Sequence, residues 1–280
     1  MRMRAWFIAL AALVIAPLAY AQEQAPAPPH RGWSFEGPFG KYNRGAVQRG
    51  FLVYQQICAN CHSLNHLSYR NLGEPGGPFE LFRVMNPQTG AIEEELFPHG
   101  EGRPVAPTDN KYVRSIAAAV TVPDIDRDTG EAKERSGMPS DRFRNPYANP
   151  QAARAANGGA VPPDLSEIVL ARAGGANYVR ALLTSFTGEQ VEGRYVNPVF
   201  AGGLIGMPPP LSADGMVTYS DGTNATRAQM ADDVVQFLQW AADPHLEARN
   251  RTGFVTMVFL LIFAALMYLS YKQVWRGTKH

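Results

Sequence analysis

Residues 57–62 read ICANCH, and they hold the only two cysteines of a 280-residue chain together with one of its six histidines. Three chemistries use thiols at the spacing of Cys58 and Cys61. A structural zinc ion needs four ligands, commonly two such pairs, and there is no third cysteine to supply them. A thiol–disulfide pair sits at the start of a helix in a β-α scaffold, where the helix dipole lowers a thiol pKa. Upstream, however, Val47, Phe51, Tyr54, Cys58 and Cys61 recur at steps of four, three, four and three, one stripe of a helix. The pair therefore ends a helix with its sulfurs on the buried side, and no β-α alternation surrounds it. Covalent haem attachment uses all three side chains: each thiol adds to a vinyl group, and the imidazole of His62 ligates the iron. Positions i, i+3 and i+4 of a helix share a face, so both sulfurs and the ring can meet one planar macrocycle. A single CxxCH predicts one covalently bound haem c.

The sixth ligand decides between electron transfer and small-molecule chemistry. A methionine opposite histidine closes the iron and raises its potential. Met207 lies in Gly203-Leu-Ile-Gly206-Met207-Pro208-Pro-Pro210, where glycine permits close approach and three prolines stiffen the segment around a weak thioether. Met138, in Gly137-Met138-Pro139, has a similar neighbourhood and remains a second candidate. Met230 falls on an apolar helix face and reads as core. His30, His66, His99 and His245 read as solvated or capping side chains.

The two ends of the chain give a compartment. Arg2 and Arg4 precede an apolar run, Ala5 to Ala16, followed by Pro17 and Ala19-Tyr20-Ala21, so residues 1–21 read as a cleaved secretory signal. Residues 253–271 (GFVTMVFLLIFAALMYLSY) carry no charge. As a helix they rise about 28 Å, close to the roughly 30 Å of a bilayer core. They predict a single transmembrane anchor in a bacterial inner (cytoplasmic) membrane, the domain in the periplasm and residues 272–280 as a cytoplasmic tail. All 25 acidic residues lie between 22 and 248 against 19 basic ones, so that stretch has a net charge of −6 although the whole chain is +1. Nucleic acid demands a basic face and is excluded. An acidic surface suits a cationic partner, or solubility alone.

Residues 22–40 are rich in Pro and Gly and read as an extended lead-in to a haem domain over 41–248. Residues 73–108 and 121–163 are crowded with Gly, Pro, Asn and Asp, with one helix around Asn110 to Val120 between them. A second helical stretch runs from Leu165 to Phe186, interrupted at Gly174-Gly175. A third opens on a T-x-x-Q capping box at Thr226–Gln229 and ends at Pro244. The expected fold is mainly α, with long loops wrapping something. Asp124-Ile-Asp126-Arg-Asp128 approaches a calcium loop, but Gly130 is one place late and Arg135 stands where glutamate is needed, so it reads as a polar turn. Glu93-Glu94-Glu95 reads as a solvated run or a docking patch for a basic partner.

Taken together, the exported CxxCH domain, AARAANGGAVPPDLS (152–166), ARAGG (171–175), GMPPPL (206–211), a capped helix and one C-terminal anchor resemble the cytochrome c1 family. These are the haem subunits of cytochrome bc1 complexes, the ubiquinol–cytochrome c reductases. The resemblance spans about Gly40 to Gln273. It implies a class I cytochrome c-like haem domain and assigns Met207 as the axial thioether with His62 opposite. It implies Arg172 beside a haem propionate, a role that suits a planar, permanently cationic fork. It implies a pocket lined by Asn157, Ala160, Pro162, Pro163, Ile168, Tyr178, Phe200 and Ile205. The implied role is a relay of single electrons from a Rieske iron–sulfur protein to a soluble or anchored c-type cytochrome, beside a cytochrome b subunit and membrane lipid, with no bond chemistry of its own. Another anchored monohaem cytochrome, such as an oxidase subunit or a shuttle, would share the CxxCH and the anchor but not the PPDLS segment. A haem gas sensor or enzyme would need an open sixth site.

Overall fold

Asn43 caps the first helix by accepting from the Ala46 N–H (3.2 Å), and the predicted apolar stripe follows directly. The structure is a computed structural model that describes residues 28–85, 92–96 and 107–277. The predicted signal and His99 lie outside those residues. Described helices are α1 (Arg44–Gln56), α2 (Lys111–Ala118), α3 (Pro150–Ala156), α4 (Gly175–Thr184), α5 (Arg227–Ala242) and α6 (Leu246–Val274). The strands are short: β1 (Leu81–Met85), β2 (Ile92–Leu96), β3 (Thr121–Ile125), β4 (Ala132–Ser136), β5 (Gln190–Val191), β6 (Arg194–Val196) and β7 (Leu204–Ile205). All pairings are antiparallel: β1 with β2, β3 with β4, and the small sheet β5-β6-β7. The mainly α fold with one C-terminal apolar helix is as the sequence predicts.

The core is the crossing of α1 and α5. Val47, Phe51 and Tyr54 from α1 are buried against Met230, Val234, Phe237 and Trp240 from α5. Phe51 and Tyr54 meet the Phe237 ring at centroid distances of 5.6 and 5.4 Å. Gly50 sets the helix separation: a Cβ there would stand 2.0 Å from the Asp233 carbonyl oxygen and 2.8 Å from the Phe237 Cβ. Beside it Arg49 grips buried Asp233 through two bonds of 2.9 Å and Asp221 through a third of 2.7 Å. In an open helix Gly→Ala adds about 1 kcal/mol of stability. At this contact Gly50→Ala instead costs about 3 kcal/mol, seen as a lower thermal midpoint; a raised midpoint would contradict the close packing.

Three expectations change. The helix stops at Gln56, and Cys58–Asn60 form one 3-10 turn. The reason is local: the Asn60 side-chain amide donates to the Gln56 (3.0 Å) and Ile57 (3.3 Å) carbonyls, acceptors that a continuing helix needs. Cys61 N–H and His62 N–H both turn back to the Cys58 carbonyl, so the motif stays compact, and its cysteines are half-buried. Second, the stretch from Leu165 to Phe186 is helical only over α4, because Gly174 at φ 87° is left-handed and residues 166–173 form turns and bends. Third, the predicted irregular regions contain the β1–β2 and β3–β4 hairpins. The β3–β4 turn is the polar one expected at Asp124–Asp128: Asp126 accepts from Asp128 N–H (3.0 Å) and Thr129 N–H (3.2 Å), and Gly130 takes φ 74°.

Both ends of the domain are tied down. In the lead-in, Trp33 and Phe35 are buried, and Trp33 Nε1 donates to Asn177 Oδ1 on α4 (2.8 Å). Arg31 and Arg180 share Asp232 of α5. Thr226 caps α5 by accepting from Gln229 N–H (3.1 Å), as the capping box predicts, and the helix ends before Pro244. Helix α6 follows at once. Its 29 residues have a mean hydropathy of 2.3 over the most apolar window, none of which is buried, so it is long and apolar enough to cross a membrane.

Candidate functional site

The 3-10 turn delivers His62 to a second segment, 157–166, nearly a hundred residues away. His62 Nδ1 lies 2.7 Å from the Pro163 carbonyl oxygen. A carbonyl can only accept, so Nδ1 carries the proton and Nε2 keeps the free lone pair a metal needs. Burial lowers the imidazole pKa, and the Pro163 bond and the nearby Asp164 charge offset this only in part, so the ring is neutral at neutral pH. The orienting bond is the kind that fixes a ligand ring and raises its basicity.

Asp164 holds the two segments together. Its Oδ2 accepts from Ser63 Oγ (2.7 Å) and Asn65 N–H (2.9 Å), and its Oδ1 accepts from Ser166 N–H (2.8 Å). Leu165 N–H donates to the Ser63 carbonyl (2.9 Å) and His66 N–H to Ser166 Oγ (3.1 Å). Burial alone would raise the Asp164 pKa; the hydrogen bonds from Ser166, Ser63 and Asn65 outweigh it and hold the carboxyl below its ordinary range. The PPDLS segment is thus a clamp that fixes the Pro163 carbonyl behind His62. Sequence reasoning quoted it but gave Asp164, Ser63, Asn65 and Ser166 no role. The Asp-Leu-Ser spacing of an Asx turn was the available signal.

The thiols are poorly suited to redox exchange. Cys58 and Cys61 are both free of each other, and burial pushes the Cys58 thiol up to about 12, with Cys61 adding to the rise. That is the opposite of the lowered thiol pKa that a disulfide-exchange motif relies on.

Met207 is delivered by the small sheet. Strand β6 pairs with β7 through Tyr195–Ile205 and Val196–Leu204, which buries Ile205 and leaves Gly206-Met207 at the strand's end. Leu211 is buried beyond the prolines, so the segment is pinned at both ends and Met207 stays half-buried. A Cβ at Gly206 would lie 3.6 Å from the Ala160 Cβ, which sets the methionine loop beside the segment that holds His62. Met138 is 48% exposed, in a turn closed by Asp141 that packs on Arg70 and on Ala117 of α2. The structure therefore sets Gly206, the neighbour of Met207, beside Ala160, while the Met138 turn packs on Arg70 and α2.

The other predicted pocket residues are spread over several elements. Asn157 ends α3, donating to the Ala153 carbonyl (2.7 Å) and lying 3.4 Å from the Tyr147 hydroxyl. Ile168 and Tyr178 are half-buried against the core, while Pro162 and Phe200 are half-buried and Ala160 and Pro163 exposed. Phe200 is fixed by the loop around fully buried Asn197, whose side chain donates to the Leu182 carbonyl (2.8 Å). Arg172 is exposed just before α4, its guanidinium touching only the Ala171 carbonyl (3.4 Å) among the described residues. It is thus free to meet an anionic group. A neutral imidazole with Nε2 free, a half-buried thioether on a rigid loop, and an uncovered apolar wall that includes Val161 suit a haem.

A mainly helical domain closing around CxxCH, its histidine oriented by a backbone carbonyl, belongs to the class of c-type cytochromes. A profile described as the Cytochrome C1 family matches residues 33–278. The chain is 35% identical over 289 residues to a cytochrome c1 of Rhodospirillum rubrum, covering 96% of this chain and 94% of that one. It is 37% identical to a mitochondrial cytochrome c1 heme protein of Saccharomyces cerevisiae, over 92% of this chain and 75% of that one. It is 43% identical to a cytochrome b/c1 of Bradyrhizobium diazoefficiens across 96% of this chain, but spans only 39% of the length of that relative. The chain belongs to the cytochrome c1 family, which implies a haem c cofactor.

Proposed function

We propose that the chain is a single-haem electron relay held in a membrane by α6, within an assembly of the cytochrome bc1 type. Cys58 and Cys61 would hold the haem through thioether bonds, and His62 Nε2 and the Met207 sulfur would ligate its iron. Arg172 pairs with a haem propionate, and Asn157, Ala160, Pro162, Pro163, Ile168, Tyr178, Phe200 and Ile205 line the crevice. The haem supplies a one-electron iron couple; the chain fixes its ligands, keeps water from one face and sets its distance from the membrane. The chain accepts an electron from a Rieske iron–sulfur protein and passes it to a c-type cytochrome. It sits beside a cytochrome b subunit with the haem domain in the periplasm.

The observation that carries this reading is the 2.7 Å contact from His62 Nδ1 to the Pro163 carbonyl, directly behind the thiol pair. It fixes the tautomer that a metal-ligating imidazole requires, and with only two cysteines in the chain a four-ligand structural zinc site has no second pair. Gentle detergent extraction tests the assembly: a haem resistant to acid–acetone should remain on this chain, and b-type haem and a Rieske cluster should co-elute. Extractable haem, or co-elution with an oxidase instead, would refute it. The net charge of −6 over residues 22–248 adds an expected rate effect. Electron transfer to a basic cytochrome slows as ionic strength rises, because the Debye length shrinks from about 30 Å at 0.01 M to about 8 Å at 0.15 M. Flat kinetics across that range would remove the acidic docking face.

A further inference from the structure

Glu247, Asn250 and Phe254 share one face of α6 and all meet the segment 37–44. Tyr42 N–H donates to Glu247 Oε1 (2.8 Å), Arg44 Nη2 pairs with Glu247 Oε2 (3.0 Å) and Asn250 Nδ2 donates to the Gly37 carbonyl (3.4 Å). Next along the helix, the Phe39 ring stands edge-on to Phe254, with centroids 5.4 Å apart. From Glu247 to Phe254 a helix rises about 10 Å. Phe39 is therefore carried down the anchor to the second residue of the charge-free run that opens at Gly253.

That placement is built into the backbone. Gly37 takes φ 81°, Gly40 N–H donates back to the Gly37 carbonyl (3.2 Å), and Lys41 N–H donates to the Ser34 carbonyl (2.8 Å). Gly40 allows no side chain, since a Cβ would lie 2.1 Å from the Phe35 carbonyl oxygen. Buried Trp33 and Phe35 hold the base of this turn in the domain. Its tip is nevertheless apolar and open: Phe39 is 70% exposed and Phe254 53%. Lys41, two residues after Phe39, and Arg251, three before Phe254 on the helix, are exposed and form no ion pair among the described residues.

We propose that the turn Gly37-Pro38-Phe39-Gly40 is a membrane-seating element whose partner is the phospholipid leaflet. Phe39 enters the outer edge of the acyl region beside Phe254, and Lys41 and Arg251 lie at the level of the lipid phosphates. The pairing of an apolar tip at the depth where the charge-free run begins with two unpaired cations is the chemistry of an interfacial lipid contact. The domain is then seated on the membrane at a fixed height, not swung from a flexible stalk. The proposal rests on α6 being a membrane span.

Site-directed nitroxide labelling of the haem-loaded chain in its purified assembly, reconstituted in phospholipid nanodiscs, tests it. With Cys58 and Cys61 in thioether bonds, the parent chain takes no label and Phe39→Cys takes one. Ala265→Cys reports mid-span, and Asp128→Cys on the β3–β4 turn reports water. At position 39 the ratio of oxygen to nickel-chelate accessibility should be several-fold above that at Asp128→Cys and approach that at Ala265→Cys. A ratio equal to that at Asp128→Cys overturns the proposal. A label shielded from both reagents overturns it in favour of a protein neighbour. A water-like ratio at Ala265→Cys overturns the membrane-span reading and the seating element with it.

Discussion

Met207→Leu lowers the midpoint potential of the haem by a substantial part of the roughly 0.8 V that axial ligation commands and opens the reduced iron to carbon monoxide. A thioether opposite histidine closes the iron and raises its potential; leucine offers the same bulk and no lone pair. The exchange is volume-conserving, a change that costs less than about 1.5 kcal/mol. The loop is pinned independently by buried Ile205 on β7 and buried Leu211, so the variant folds. Redox titration with carbon monoxide difference spectra reads both effects. Met138→Leu serves as the comparison, because its side chain lies in the Asp141-closed turn on α2 and its loss should move neither quantity. An unchanged potential in folded Met207→Leu removes the sulfur from the iron and reopens the gas-binding alternative.

The features legible in the sequence are those written by local periodicity. The α1 stripe, the α5 capping box, the break at Pro244 and the charge-free run of α6 each depend on residues within a turn or two of one another. The β3–β4 hairpin escaped because only Val122 of its strands is buried. A hairpin with water on both faces has no apolar alternation to read. The end of α1 escaped because one side chain, Asn60, competes for the carbonyls the helix needs. The stretch from Leu165 to Gly174 has helical composition, but Gly174 is left-handed and dictates turns. At the site, the CxxCH spacing of Cys58, Cys61 and His62 is local and so can be read from the sequence. For Met207 over Met138 the sequence offered the rigid proline segment and the family resemblance; the structure adds that a Cβ at Gly206 would lie 3.6 Å from the Ala160 Cβ, between segments some fifty residues apart. The Asp164 clamp spans about a hundred residues, and no pattern within either segment announces the other.

That clamp carries the second large effect. Asp164→Ala lowers domain stability by about 3 kcal/mol, because it strands the Ser63 hydroxyl and the Asn65 and Ser166 N–H groups that a charged acceptor had satisfied. For a domain of this size that is a fall of about 6–12 °C in thermal midpoint. Asp164→Asn keeps one oxygen acceptor and loses the charge, so it falls between the two. The pH dependence has a definite sign. The folded carboxyl is held below its ordinary range, so its contribution is present above the unfolded pKa of about 3.9 and is lost as pH falls through the folded value. The gap in stability between the parent and Asp164→Asn is therefore constant near neutrality and closes below about pH 4. A merely structural staple would end there. Because the clamp also fixes the Pro163 carbonyl 2.7 Å from His62 Nδ1, its loss weakens the bond that tunes the imidazole. The midpoint potential of a still-folded Asp164→Asn holoprotein should shift together with its stability. A destabilised variant with the parent's potential would show that the carbonyl stays in place without the carboxylate, held by Leu165 N–H on the Ser63 carbonyl and His66 N–H on Ser166 Oγ.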